Sequence, residues 1–150
     1  DTIPLASIRW SPDGRLLFMI TEVFPDRSEL VRVDLATQRF EIMSPVTRIE
    51  RTPSMDVSPD GELIAHGDAE AHITFRDIEG GVVTGLPAIP GRVSDPRFSP
   101  DGLFLAFQER GDPPESELTT FMVRLSDGKR WELNMDADFE VWLADWIPAD

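Results

Sequence analysis

One tetrapeptide occurs three times in the chain and constrains its fold more than any other feature. The copies are Ser11-Pro12-Asp13-Gly14, Ser58-Pro59-Asp60-Gly61 and Ser99-Pro100-Asp101-Gly102, recurring at intervals of 47 and 41 residues. Each follows a bulky apolar residue (Trp10, Val57, Phe98) and leads into a short apolar run. A decayed fourth copy can be read at Trp146-Ile147-Pro148-Ala149-Asp150. Repetition at roughly 40–50 residues signals a propeller or solenoid built from one repeated unit.

The tetrapeptide reads as a tight turn. Proline presets φ for the second position and aspartate tolerates the third. Glycine accepts a positive φ at little steric cost, and the serine hydroxyl can bond a nearby backbone amide. These residues are therefore read as structural, and Asp13, Asp60 and Asp101 are not read as catalytic.

The flanks align around the turns. A first strand is expected at Ile8-Arg9-Trp10, Met55-Asp56-Val57 and Pro96-Arg97-Phe98, the last with proline at its start. A second follows at Leu16–Ile20, Leu63–His66 and Phe104–Phe107, and a third at Leu30–Asp34, Ile73–Asp77 and Phe121–Leu125. Short turns lead to a fourth at Arg39–Ile42, Val82–Thr84 and Arg130–Leu133. The second strands are almost continuously apolar, as strands buried on both faces are. The fourth alternate, which suits a half-exposed edge. Each period thus predicts a four-stranded antiparallel meander, and no window shows a helical period.

Three copies of this pattern with matching flanks make the chain resemble the TolB-like, WD40-like (PD40) bacterial β-propellers. The resemblance covers most of the chain. It departs where Val57 replaces the usual aromatic and where the fourth copy lacks serine and glycine. It implies an all-β fold of propeller blades at about 6–45, 53–87 and 95–134, with an extra strand at 141–148, in one partial propeller domain. It also implies an extracytoplasmic bacterial setting. Propellers close with about four to eight blades, so three blades leave open flanks. Two expectations follow: the chain is a segment of a longer propeller, or two chains pair into one ring. A C-terminal strand at Ala144-Asp145-Trp146 could cap a flank or join a partner's blade.

Composition narrows function mainly by exclusion. The net charge of −14 argues against nucleic acid and anionic membranes, since phosphate binding needs clustered Lys and Arg. The same acidity suits solubility or a basic partner. The absence of cysteine removes disulfides, thiolate metal sites and cysteine nucleophiles. No run approaches the roughly 18 apolar residues of a membrane span, and no basic-then-apolar leader is visible. No nucleophile elbow, Gly-rich nucleotide loop, Walker A or His-Glu-x-x-His motif occurs, so no catalytic residue, cofactor or metal is expected. With 28 Asp and Glu residues, chance carboxylate pairs are guaranteed and identify nothing. Of the two histidines, His66 replaces the Met19 and Phe107 of its sister repeats and is expected in the core or lining the central channel. His72, with Asp68, lacks the further ligands of a closed metal site. The alternating Asp136, Asp138 and Glu140 lack the glycine and distal glutamate of a calcium loop. Trp131, Trp142 and Trp146 are read as packing residues.

In a meander the turns alternate between two ends. The Ser-Pro-Asp-Gly turns share one end with the short third-to-fourth-strand turns. The loops at the other end vary in length and charge, and diversified loops on a uniform scaffold usually carry contacts. Candidate binding residues there are Glu22, Asp26, Asp68, His72, Glu109, Asp112, Glu115 and Glu117. The expected function is a non-enzymatic module binding a protein or peptide, or assembling with itself. The alternatives are a propeller gating a prolyl-oligopeptidase-like hydrolase, or one sensing a small ligand or ion near His66.

Overall fold

A computed structural model describes residues 5–23, 27–47, 54–68, 71–111 and 117–133. Strands β1 (Leu5–Trp10), β2 (Leu16–Val23), β3 (Arg27–Asp34) and β4 (Arg39–Thr47) form the first sheet. Strands β5 (Met55–Val57), β6 (Leu63–Gly67) and β7 (Ile73–Asp77) form the second. Strands β8 (Val93–Phe98), β9 (Phe104–Arg110), β10 (Leu118–Arg124) and β11 (Arg130–Glu132) form the third. Every sheet is an antiparallel meander in chain order, so the all-β blade architecture legible in the repeats is the one observed. No helix of the described residues is long and apolar enough to cross a membrane. The extra strand at 141–148, the decayed fourth copy, Trp142, Asp136, Asp138 and Glu140 lie outside the described residues.

The second sheet departs from the four-stranded expectation. Val82-Val83-Thr84 contributes only a bridge from Val82 to Arg76 and one amide bond from Val83 to the Phe75 carbonyl. The cause is local: Gly80 and Gly85 hold φ near +93° and +92°, which turns the segment away from a ladder. The chain then bends back so that Ile89 bridges Ile73. In β8, Pro96 lies inside the strand and not at its start. It is buried at a register shift between Ser94 and Arg97, where Asp95 adopts φ +53°. A bulge on an edge strand is where a residue without an N–H is tolerated.

The three tetrapeptide turns share one hydrogen-bond scheme. In the first, the Ser11 hydroxyl donates to Asp13 Oδ1 at 2.6 Å and accepts the Leu16 amide at 2.9 Å. Asp13 Oδ1 also accepts the Arg15 amide at 3.0 Å. Ser58 and Asp60 repeat this with Leu63 and Glu62, and Ser99 and Asp101 with Phe104 and Leu103. All three serines are buried. The hydroxyl thus satisfies the first amide of the second strand, while the carboxylate fixes the hydroxyl and the turn. These hydrogen bonds hold Asp13, Asp60 and Asp101 below the usual carboxylate range, the serine hydroxyl contributing most.

The turns also touch one another. A methyl group built on Gly61 would lie 3.1 Å from Pro12 Cδ, and one on Gly102 would lie 3.4 Å from Pro59 Cγ. Gly61 and Gly102 are therefore each a socket for the proline of the turn before. Among the described residues nothing lies within 4 Å of the same point at Gly14.

Apolar side chains seal the two junctions between sheets. Phe18, Ile20 and Leu30 meet Met55 and Ile64 between the first and second sheets. Ala65, Ile73 and Phe75 meet Phe98, Leu105, Phe107 and Val123 between the second and third, with Phe75 and Phe98 tilted at 6.3 Å. A polar seam joins all three inner strands. Arg9 on β1 donates from Nε to Asp56 Oδ1 on β5 at 3.1 Å, and Asp56 Oδ2 accepts the Phe98 amide on β8 at 2.8 Å. Burial pushes the Asp56 carboxyl above its usual range, against the pull of the Phe98 amide and of the Arg9 and Arg97 charges. Farther out, Arg32 on β3 donates to the Ile78 carbonyl and pairs with Glu79 at 2.7 Å, clamping the first sheet to the second.

Two pairs of substitutions test these junctions. Asp56→Asn keeps an acceptor for the Phe98 amide, whereas Asp56→Leu leaves that buried donor without one and removes the carboxylate facing Arg9. The leucine variant is expected to be about 1–3 kcal/mol less stable than the asparagine variant in urea unfolding. Gly14→Ala and Gly61→Ala both place a side chain at positive φ, an expected cost of about 1–2 kcal/mol each. Gly61→Ala should cost measurably more, because only there does the new methyl meet a proline; equal losses would contradict the socket.

Candidate functional site

The candidate residues belong to the end of the sheets opposite the tetrapeptide turns. There the connections run through residues 24–26, 68–72 and 111–117, so they lengthen from one sheet to the next. Asp26, Asp112 and Glu115 lie outside the described residues, as does the side chain of Glu22 on β2. Four candidates remain: Asp68, His72, Glu109 and Glu117.

Asp68 and His72 are brought together, and the arrangement is a turn lock. Asp68 Oδ1 accepts the His72 amide at 3.0 Å, and Oδ2 accepts the Thr74 hydroxyl at 3.0 Å. The backbone closes the same turn, from the Asp68 amide to the His72 carbonyl at 2.8 Å. The His72 ring stays 3.9 Å from Asp68 Oδ2. Between them Ala71 adopts φ +65°, and its carbonyl accepts the Val93 amide where the chain enters the third sheet. Among the described residues no group of three or more His, Asp or Glu side chains is placed to hold a metal.

Glu109 sits at the far end of β9 and pairs with Arg130 of β11. The Arg130 guanidinium lies 3.6 Å from the Phe121 ring centroid, and Phe121 stacks on Phe107 at 6.0 Å. Glu109 also crowds Gly91, where an added methyl would come within 2.9 Å of its carboxylate. Its carboxylate is thereby held against the connection between the second and third sheets. Glu117 is exposed and marks where the longest loop rejoins β10. The loop end thus divides into Asp68 and Glu109, which hold its framework, and Glu117, which faces solvent.

His66 belongs to neither end. It is 1% exposed, its Nδ1 lies 2.8 Å from the Gly67 carbonyl, and its Nε2 accepts Arg76 Nε at 3.1 Å. Those partners fix the neutral tautomer with the proton on Nδ1, and both ring nitrogens are engaged inside the protein. The sequence placed His66 by repeat alignment, but nothing local signalled Arg76 ten residues on. Burial holds the His66 ring below its ordinary range, and the Arg76 charge adds to that. Trp131 is a packing residue, set edge-on to Phe104 at 6.2 Å with Lys129 5.1 Å above its ring.

No protein family matches the chain at the level of sequence, and no curated protein does. Solved structures do match in fold. The chain is similar to TolB from Acinetobacter baumannii, with TM-score 0.66 and 19% identity over 84% of this chain and 31% of TolB. It is similar to the tricorn protease, with TM-score 0.62 and 15% identity over 91% of this chain and 14% of that protein. It is also similar to the hydrazine synthase of Kuenenia stuttgartiensis, with TM-score 0.57 and 19% identity over 86% of this chain and 42% of that one. The chain therefore has the fold of TolB-like propeller blades and spans about a third of the TolB chain it matches.

The buried histidine sets a pH dependence. Below its ordinary value of 6.5 the unfolded chain takes up a proton that the folded one refuses, so stability falls with decreasing pH from there. The slope attributable to His66 is expected to reach about 1.4 kcal/mol per pH unit. His66→Met, which installs the residue of the first repeat, should flatten the urea midpoint between pH 7 and pH 5 relative to the parent. Below the ordinary carboxylate value of 3.8 the Ser-Asp turns add a second loss, because their depressed carboxyls are then protonated preferentially on unfolding. The raised Asp56 carboxyl opposes the first of these losses only, because the folded chain takes up that proton above 3.8.

Proposed function

We propose that the chain is a non-enzymatic propeller module that binds a protein or peptide through the loops joining β2 to β3, β6 to β7 and β9 to β10. The observation that carries this reading is the contrast between the two ends. One end repeats a single Ser-Asp hydrogen-bond scheme three times, so it is spent on holding the scaffold. The other end has loops that differ in length, with the structural carboxylates Asp68 and Glu109 at their bases and Glu117 exposed. Such a division suits a rigid platform with a variable contact surface. The net charge of −14 favours a partner presenting basic groups, and steering by opposite charge would raise the association rate. Proteins of the same blade fold include a protease and a synthase, so the fold alone does not choose the activity.

Site-specific photo-crosslinking separates the two ends. A photoreactive residue replacing Glu117 is expected to give a discrete adduct in cells of the source organism. One replacing Glu62, exposed in the second tetrapeptide turn, is expected to give none. Adducts at Glu62 alone, or equally at both, would overturn the assignment.

A further inference from the structure

The first sheet carries an apolar face that repeats the geometry of the two sealed junctions. Register places Trp10, Leu17, Val33 and Phe40 in one cross-strand row, and Ile8, Met19, Val31 and Ile42 in the next. The intervening row, with Arg9 and Arg32, reaches the second sheet, so these eight residues occupy the opposite side. Four of the eight exposed large apolar side chains among the described residues belong to this face: Ile8, Trp10, Phe40 and Ile42. Their repeat equivalents show what that position becomes when covered. Ile8 is 40% exposed where Met55 is 0%, and Trp10 is 58% exposed where Phe98 is 5%.

Two further observations describe the missing neighbour. Among the described residues nothing fills the position beside Gly14 at which Gly61 and Gly102 each receive the proline of the preceding turn. The inner-strand position two residues before each turn serine reads Arg9, Asp56 and Arg97. Asp56 lies between the charges of the two arginines and accepts the Phe98 amide of the following blade. A neighbour ahead of the first sheet would set its equivalent residue beside Arg9 and the Trp10 amide, where a carboxylate fits and an arginine repels. A second copy docking its third sheet there would bring Arg97 against Arg9. Like charges across a desolvated junction are costly.

We infer that the outer face of the first sheet is a docking surface for a further antiparallel blade of the same repeat, contributed from outside these residues. That blade brings a turn proline for the Gly14 socket and an inner-strand carboxylate for Arg9.

The chain supplies its own probe. It has no cysteine, so an Ile8→Cys variant carries a single thiol on the face. A copy of residues 54–92, which includes Asp56 and Pro59, is placed ahead of Asp1. This keeps the copied turn within the natural spacing of the repeats. The unextended chain is expected to be a monomer by light scattering and to label rapidly with a thiol reagent. The extended chain is expected to label about tenfold more slowly or better and to unfold at higher urea. Asp56→Arg within the copied blade alone should restore fast labelling. The inference is overturned by an extended chain with no protection or no rise in midpoint, or by equal protection from the Asp56→Arg copy. A dimeric unextended chain with the thiol already protected would also overturn it, in favour of a second copy.

Discussion

The hydrogen bond from a turn serine hydroxyl to the aspartate two residues on is the interaction on which the rest depends. It orients the hydroxyl so that its free lone pair meets the first amide of the second strand, fixing where β2, β6 and β9 begin. With that start fixed, the period-two alternation decides which residues face the neighbouring sheet. A slip of one residue would turn Phe18, Ile64 and Leu105 out of their junctions and break both apolar clusters. Three local turns thus set the register of three sheets.

Energetically, the sheets depend on one another. A three- or four-stranded sheet buries only part of its apolar surface alone, and stacking repeats supplies the rest. Here the stacking is threefold in character: side-chain clusters at the middle, proline in a glycine socket at the turn end, and charge along the inner strands. Asp56 shows how the terms compete. Its burial raises the cost of the charge, yet Arg9 and the Phe98 amide from two different blades make it the point where all three meet.

The turns, the inner strands and the meander were legible in the sequence because their determinants are local. Proline, aspartate and glycine at fixed offsets impose backbone angles that no tertiary contact needs to supply. The missing fourth strand of the second sheet was less legible, since Val82-Val83-Thr84 carries strand-forming residues and the deciding glycines flank it. Long-range pairs were not legible. Arg9 finds Asp56 at a separation of 47 residues, and Glu109 finds Arg130 in a chain with 28 acidic and 14 basic residues. Among so many carboxylates, only coordinates separate Asp68 and Glu109, which hold the loop end together, from Glu117, which faces solvent.

The central claim is that protection comes from blade-on-blade packing with one flank of the first sheet left open. Native-state hydrogen exchange of the three serine-bonded amides, Leu16, Leu63 and Phe104, tests it most directly. The turns are chemically equivalent, so differences among them report the packing around each sheet. Slowest exchange at Leu63, whose sheet is flanked on both sides, and fastest at Leu16 is the expected order. Equal protection of all three, or slowest exchange at Leu16, would contradict it.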